Sequence, residues 1–120
     1  MARILLVEDT PANRVLATKL LRAAGHDVLT AGTGAEGVAL ARDHTLDLVL
    51  MDLGLPDMDG RQAMTQIRAL HSADGLPIVA FTAHAMVGDR ERALTSGFDG
   101  YLSKPIEVAT FVERVGEMVP

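Results

Sequence analysis

Short apolar runs recur five times along the 120-residue chain, and the segments between them space their apolar residues as helices do. The runs are ILLV at 4–7, DVLTA at 27–31, LDLVLM at 46–51, PIVAF at 77–81 and the weaker GYL at 100–102. Continuous apolar strands that alternate with amphipathic helices are typical of a parallel sheet with helices on both faces. We therefore predict an α/β fold, doubly wound around a five-stranded parallel sheet.

The first and last helices have the clearest patterns. Thr10 as N-cap and Pro11 as first residue predict the start of the first helix, and Gly25 predicts its end. Leu16 and Leu20 are predicted to share its inner face. The last helix carries one apolar stripe, made of Val108, Phe111, Val112, Val115 and Val119. This stripe has to pack against another part of the protein.

Composition and charge narrow the function classes. An apolar fraction of 48% suffices for one core, so we expect a single domain over residues 1–120. The absence of cysteine excludes a disulfide framework and a thiolate zinc site. Few aromatic residues (3%) and a net charge of −5 weigh against nucleic-acid binding. No run approaches a membrane span or a signal peptide, so we expect a cytoplasmic protein without a membrane partner.

Polar residues follow four of the five predicted strands. They are Glu8, Asp9, Asp52, Thr82 and Lys104, which is followed directly by Pro105. Each one alone is more readily explained as a turn, cap or surface residue. However, ligands of open parallel sheets bind outside the carboxyl ends of the strands, and all these residues lie at that edge. Their convergence favours a functional site over turn chemistry.

Three carboxylates at one edge need compensating charge. Two carboxylates about 4 Å apart repel by about 4 kcal/mol at an effective dielectric constant of about 20. Glu8, Asp9 and Asp52 would therefore resist joint ionisation, whereas a divalent cation together with Lys104 would balance them. Oxygen ligands of this kind suit Mg²⁺, which readily shares its coordination shell with a phosphate. We predict a Mg²⁺ site suited to a phosphoryl group.

Four segments carry a family resemblance that covers essentially the whole chain. LLVED at 5–9, LMDLGLPDMDG at 50–60, FTAHAM at 81–86 and GYLSKPI at 100–106 resemble the response-regulator receiver domain of two-component signalling. The last two are similar to receivers of hybrid histidine kinases and of certain single-domain regulators. The resemblance implies a flavodoxin-like fold with strand order 2-1-3-4-5. It also implies a histidine kinase or histidine phosphotransfer protein as partner, and a downstream protein target.

The resemblance further implies the roles of the site residues. Asp52 would accept the phosphoryl group from a phosphohistidine. Asp9, Asp52 and the backbone carbonyl of Gly54 would bind Mg²⁺, and Glu8 would act through a metal-bound water. Lys104 would pair with the phosphoryl oxygens. Such a domain is not a conventional enzyme, although it would catalyse its own phosphorylation and dephosphorylation.

A conformational switch is implied in the same way. Thr82 would donate its hydroxyl to the phosphoryl group, and Tyr101 would turn inward as Thr82 moves. The helix from about Val87 to Thr95 would respond, and the bond before Pro105 would be cis. The output would be changed contact with another protein. A phosphate shuttle or sink between histidine phosphotransfer partners is the alternative, and an inert pseudo-receiver is disfavoured by the complete set of site residues.

One motif points to a different function. GTGAEG at 32–37 is a literal G-x-G-x-x-G after a predicted strand, with Asp52 where an acid could bind a ribose. A dinucleotide-binding fragment would leave Glu8, Asp9 and Lys104 without a role. The other interpretation is a turn and a helix start, with Gly37 making room for packing.

The loop after the third strand carries three further expectations. Asp57 and Asp59 are expected to shape the loop, with Asp59 as N-cap of the third helix. Gly54 stands where the family commonly has a larger residue. Together with His84, it is a candidate for controlling how water reaches the phosphoryl group.

Overall fold

The computed structural model describes residues 2–71, 75–83 and 88–119. In this part of the chain five strands alternate with five helices. In order they are β1 (Arg3–Val7), α1 (Pro11–Ala23), β2 (Asp27–Ala31), α2 (Gly34–Asp43), β3 (Leu48–Met51), α3 (Gly60–Leu70), β4 (Ile78–Thr82), α4 (Asp89–Thr95), β5 (Gly100–Ser103) and α5 (Val108–Met118). The strands form one parallel sheet in the order β2-β1-β3-β4-β5. The predicted fold and strand order are confirmed.

The winding of the sheet reverses between β1 and β3. The chain passes from β1 outward to β2, then returns across β1 to β3 and continues outward to β5. Val7 and Met51 are paired at the carboxyl ends of β1 and β3, and the amide of Asp52 donates to the carbonyl of Val7 at 3.0 Å. The residues that follow these two strands therefore lie side by side at the reversal, where open α/β sheets bind their ligands.

Helices cover both faces of the sheet. On one face, the core is completed by side chains from α2, α3 and α4, including Ala41, Ile67 and Ala93. On the other face, α1 and α5 contribute Leu21 and Phe111. None of the helices in the described ranges combines the length and the apolarity that crossing a bilayer requires.

Two apolar positions differ from the sequence expectation. Leu16 is 38% exposed, and α1 instead faces the sheet with the buried Ala17 and Leu21. The small side chain of Ala17 lies on the line of contact, so the buried stripe is rotated by one position from the predicted one. Val108 is 58% exposed because the fully buried stripe of α5 begins one turn later, at Phe111.

Candidate functional site

The predicted site residues converge on one cleft at the carboxyl edge of the sheet. The cleft has a volume of about 620 Å³, and its lining comprises Asp9, Thr10, Asn13, Asp52, Gly54, Thr82, Ala83, Lys104 and Pro105. Glu8 lies beneath it and is fully buried. The ends of four strands that are far apart in sequence thus supply one site, as the sequence predicts.

Lys104 joins the two buried carboxylates of the site. Its Nζ lies 2.7 Å from both carboxylate oxygens of Glu8 and 3.1 Å from Oδ2 of Asp52. The side chains of Lys104, Glu8 and Asp52 are only 8%, 0% and 8% exposed. Nζ also lies 5.1 Å from the centre of the Phe81 ring. One ammonium group faces two carboxyl groups, so it can balance the charge of only one of them when ionised.

Burial and contacts together move the pKa values of Glu8 and Asp52 in opposite directions. Burial, together with the contact to Asp52, raises the pKa of Glu8 from 4.5 to about 7, although Lys104 acts in the opposite direction. Burial also acts to raise the pKa of Asp52. The hydrogen bonds from Glu8 and from the Gly54 amide, together with the charge of Lys104, outweigh that effect and hold it below 3.8. Near neutral pH Asp52 is therefore the ionised member of the pair.

The donor set fits a hard divalent cation. Glu8, Asp9 and Asp52 each offer a carboxylate oxygen, and these three atoms lie within 4.8 Å of one another. Asp9 is more open to solvent than the other two and lines the cleft, as Gly54 does. Oxygen donors with an open side match the preference of Mg²⁺, which keeps water or phosphate in its shell.

The loop after β3 is closed on itself, and this closure holds Asp52. The Gly54 amide donates to Oδ1 of Asp52 at 3.0 Å, and Gly54 forms an antiparallel bridge with Asp59. A Cβ on Gly60 would collide with the carbonyl oxygen of Asp52 and lie 2.8 Å from the Cα of Leu53. Only glycine fits at position 60 without moving the backbone that carries Asp52.

Asp59 is the N-cap of α3, as predicted. Its Oδ1 accepts a hydrogen bond from the Arg61 amide at 2.8 Å, and Gln62 Oε1 accepts one from the Asp59 amide at 3.1 Å. The Asp59 side chain also accepts a hydrogen bond from the Gln62 amide, so Asp59 and Gln62 form a reciprocal capping box, which fixes where the loop ends and the helix begins.

Arg14 was not identified from the sequence. Its Nη1 donates to the backbone carbonyl of Glu8 at 2.8 Å, while the Glu8 amide donates to the Ala31 carbonyl at 2.9 Å. These bonds fix the turn that presents Glu8 and Asp9. The sequence offered one signal for this role: Arg14 lies in the first turns of α1, and that helix begins just after Glu8 and Asp9.

The glycines of GTGAEG serve packing. A Cβ on Gly37 would lie 2.7 Å from Cγ2 of Val7, and one on Gly32 would lie 3.2 Å from Nη1 of Arg14. The amide of Gly34, where α2 begins, donates to a carboxylate oxygen of Asp57 at 2.8 Å. That amide is already engaged within the protein, so this helix start does not offer it to a dinucleotide pyrophosphate.

The residues expected to form the switch lie at the ends of β4 and β5. Thr82 is buried, and its carbonyl accepts a hydrogen bond from the Lys104 amide at 2.9 Å. The Lys104–Pro105 peptide bond is cis, as the resemblance implies. Tyr101 is half-buried, and packs against the core beneath α2, α3 and α4. His84 and Val87 lie outside the described residues.

A sequence profile of the response regulator receiver domain matches residues 4–116. The chain is 46% identical over 107 residues to the sensor protein GacS of Pseudomonas syringae pv. syringae. That match covers 87% of the chain but only 12% of GacS. The chain is 37% identical over 112 residues to the polar-differentiation response regulator DivK of Brucella ovis, covering 93% of the chain and 91% of DivK.

Solved structures of receiver domains and related proteins also match this chain. The receiver domain of sensor histidine kinase PA1611 from Pseudomonas aeruginosa, which has a magnesium ion in its active site cleft, is 38% identical with a TM-score of 0.86. The match covers 98% of this chain and 96% of that one. Chemotaxis protein CheY4 of Vibrio cholerae is 26% identical, with a TM-score of 0.90 and 99% coverage of both chains. The chain belongs to the response regulator receiver domain family, the phosphate-accepting domains of two-component signalling.

Proposed function

We propose that Asp52 accepts a phosphoryl group from the phosphohistidine of a histidine kinase or a histidine phosphotransfer protein, and that the transfer requires Mg²⁺. The observation that carries this proposal is the state of Asp52. Its carboxylate is ionised near neutral pH, lines an open cleft and is held on both oxygens, by the Gly54 amide and by Lys104. The nucleophile is thus oriented before a donor arrives.

The transfer step exchanges one bond for another. An oxygen of Asp52 forms a bond to phosphorus, the phosphorus–nitrogen bond of the phosphohistidine breaks, and the imidazole nitrogen keeps the electron pair. Phosphoryl transfer passes through a loose transition state that depends on position and charge compensation more than on a strong nucleophile. Lys104 supplies one positive charge at the site and is fixed there by its bonds to Glu8 and Asp52.

Asp9, Asp52 and the backbone carbonyl of Gly54 would hold the Mg²⁺, with Glu8 acting through a bound water. When bound, the ion compensates the negative charge of the phosphoryl oxygens. The cluster of three carboxylate oxygens supports this assignment, as does the magnesium in the cleft of the PA1611 receiver. Self-catalysed phosphorylation and dephosphorylation follow from the same residues.

The phosphorylated domain would act by changing its contacts with a downstream protein. An aspartyl phosphate is expected to carry up to about two negative charges at neutral pH, by analogy with other phosphorylated side chains, where the free Asp52 carboxylate carries one. Thr82 lines the cleft and would donate its hydroxyl to the new group, and Tyr101 would become less exposed. The surface of α4, β5 and α5 would carry this change.

The assignment of Asp52 is tested by labelling. The parent protein, Asp52→Asn and Asp47→Asn are incubated with Mg²⁺ and a small phosphodonor, and the label is located by mass spectrometry. Asp47 precedes β3 and is the matched control at the far end of the same strand. We expect labelling of the parent and of Asp47→Asn. Labelling that persists in Asp52→Asn would overturn the assignment.

A phosphate shuttle is the second candidate, and the likeness to the receivers of GacS and PA1611, both sensor proteins, favours it. The match to nearly the full length of DivK favours a regulator. Transfer from phosphorylated Asp52 back to a purified histidine phosphotransfer protein would support the shuttle. Binding of a different protein only after phosphorylation would support the switch.

A further inference from the structure

Asp57 connects the loop after β3 to the start of α2. Its Oδ1 accepts a hydrogen bond from the Gly34 amide at 2.8 Å, and its Oδ2 accepts one from the Ala35 amide at 2.9 Å. The two amides are consecutive and belong to the first turn of α2, 23 and 22 positions away in the chain. Both oxygens of one carboxylate are therefore committed to fixing the loop against a helix.

Met58 reinforces this connection. A Cβ on Gly34 would lie 2.5 Å from Cγ and 2.8 Å from Sδ of Met58, so the Met58 side chain lies directly over the Gly34 backbone. Because Gly34 has no side chain, the loop can approach α2 closely enough for the Asp57 hydrogen bonds to form. The loop is held on α2 by one apolar contact and two charged hydrogen bonds.

The same loop carries the site. Gly54 lines the cleft and donates to Asp52, and it is bridged to Asp59 on the returning side of the loop. Asp57 lies at the tip, between these two arms. Gly54 has no side chain to pack against its surroundings, so its position depends on the backbone on either side of it. An anchor at the tip therefore bears directly on where the Gly54 backbone lies.

We propose that Asp57 is a positioning residue for the phosphorylation site, because its bonds to α2 hold the Gly54 backbone in place for Mg²⁺ and for Asp52. This inference rests on the proposed function. The hydrogen bonds from Ala35 and Gly34 also hold the pKa of Asp57 below 3.8, so the carboxylate is ionised at neutral pH. An asparagine would keep one acceptor but would direct an NH₂ group at the second amide.

The test separates positioning from helix stabilisation. Thr33 also caps α2, since its Oγ1 accepts a hydrogen bond from the Glu36 amide at 3.1 Å, but it makes that bond within the helix start and not to the loop. Asp57→Asn and Thr33→Ala therefore both weaken the start of α2, and only Asp57→Asn releases the loop. Mg²⁺ affinity is measured by titration of the parent and both variants, and each variant is checked by its melting temperature.

We expect Asp57→Asn to weaken Mg²⁺ binding by about three- to tenfold, below or near the lower limit for direct outer-shell partners. Thr33→Ala should leave the affinity unchanged. In NMR spectra of the parent, Mg²⁺ should shift the amide signals of Gly34 and Ala35, and this response should vanish in Asp57→Asn. Equal Mg²⁺ affinity in Asp57→Asn and Thr33→Ala would overturn the inference. A parent that neither binds Mg²⁺ nor labels at Asp52 would instead overturn the proposed function.

Discussion

The strands of the sheet begin at one end, the amino edge, and finish at the other, the carboxyl edge. Both ends carry carboxylates and cations, but these are exposed at the amino edge and buried at the carboxyl edge. At the amino edge, Arg3 pairs with Asp27 at 3.0 Å, and the two side chains are 44% and 53% exposed. The Arg3 amide also donates to Asp47 at 2.8 Å. At the carboxyl edge, Lys104 meets Glu8 and Asp52 almost entirely out of solvent.

The amino edge uses its carboxylates to join elements. Asp99 Oδ2 accepts hydrogen bonds from Arg68 at 2.6 Å and from the Ile78 amide at 2.8 Å, which ties α3 to the start of β4. Its two ion pairs, Arg3–Asp27 and Arg68–Asp99, remain near water. At the carboxyl edge, by contrast, two buried carboxyl groups share one buried ammonium group. A carboxylate next to a strand is therefore not a sign of function in itself. A buried cluster in which carboxyl groups outnumber cations is such a sign.

Removing one cation from each edge should give the largest contrast. Lys104→Met leaves Glu8 and Asp52 without a compensating charge, and we expect the phosphorylation rate to fall by about 10²-fold or more, as for loss of one charge-stabilising donor in other sites. Arg3→Met removes an exposed pair and should change the free energy of unfolding by less than about 1 kcal/mol. Phosphorylation kinetics and urea unfolding of both variants measure these effects. Equal losses of rate would contradict the distinction between the edges.

The carboxylates of the carboxyl edge should also differ among themselves. Asp9→Asn should weaken Mg²⁺ binding more than Glu8→Gln, because Asp9 is open to the cleft whereas Glu8 is buried against Lys104. We expect a loss of about tenfold for Glu8→Gln, typical of an outer-shell partner, and a larger loss for Asp9→Asn. Metal titration measures both, with Asp27→Asn at the amino edge as the unaffected control. The reverse order would show that the two ligand roles are exchanged.

The smallest expected effect concerns stability in acid. The pKa of Asp57 is lowered in the folded protein and returns to about 3.8 on unfolding, so its contribution is complete above that value and is lost as pH falls through the lowered pKa. Asp57→Asn should therefore be less stable than the parent by a few degrees in melting temperature at pH 6. This difference should shrink toward pH 2, whereas the difference for Thr33→Ala should stay constant. Melting curves across that range decide the matter, and a constant difference for Asp57→Asn would exclude the charge as its cause.

The local sequence pattern and the family resemblance predicted different features of the fold and the site. The apolar runs located all five strands: β1, β3 and β4 are buried on both faces and therefore apolar almost throughout, and the partly exposed β2 and β5 keep shorter apolar runs. The stripe of α1 was misplaced at Leu16, since helical spacing defines a face but not which line of it meets the sheet. The strand order was supplied by the resemblance, and periodicity alone would not have given it.

The sequence could not predict which of the two buried carboxyl groups is ionised near neutral pH. Glu8 and Asp52 have the same chemistry, and only burial and contact make one a proton carrier near neutrality and the other an anion. Asp57 was expected to shape its own loop, but its partners are amides more than twenty positions away. A hydrogen bond from a side chain to a distant backbone amide cannot be recognised in the sequence pattern, because almost any residue can supply the amide.

The two glycines of the site loop differ in how much change they allow, and this bears on how the timing of a signal could evolve. Position 60 is closed to every side chain by the backbone of Asp52 and Leu53. At position 54 a Cβ would meet, among the described residues, Oδ1 of Asp52 at an unstrained 3.9 Å. A side chain can therefore begin at residue 54, which lines the cleft, without its Cβ displacing the loop. If residue 54 controls how water reaches the phosphoryl group, as we expect from the sequence, a single codon change there would alter signal duration while the residues that accept the phosphoryl group stay the same.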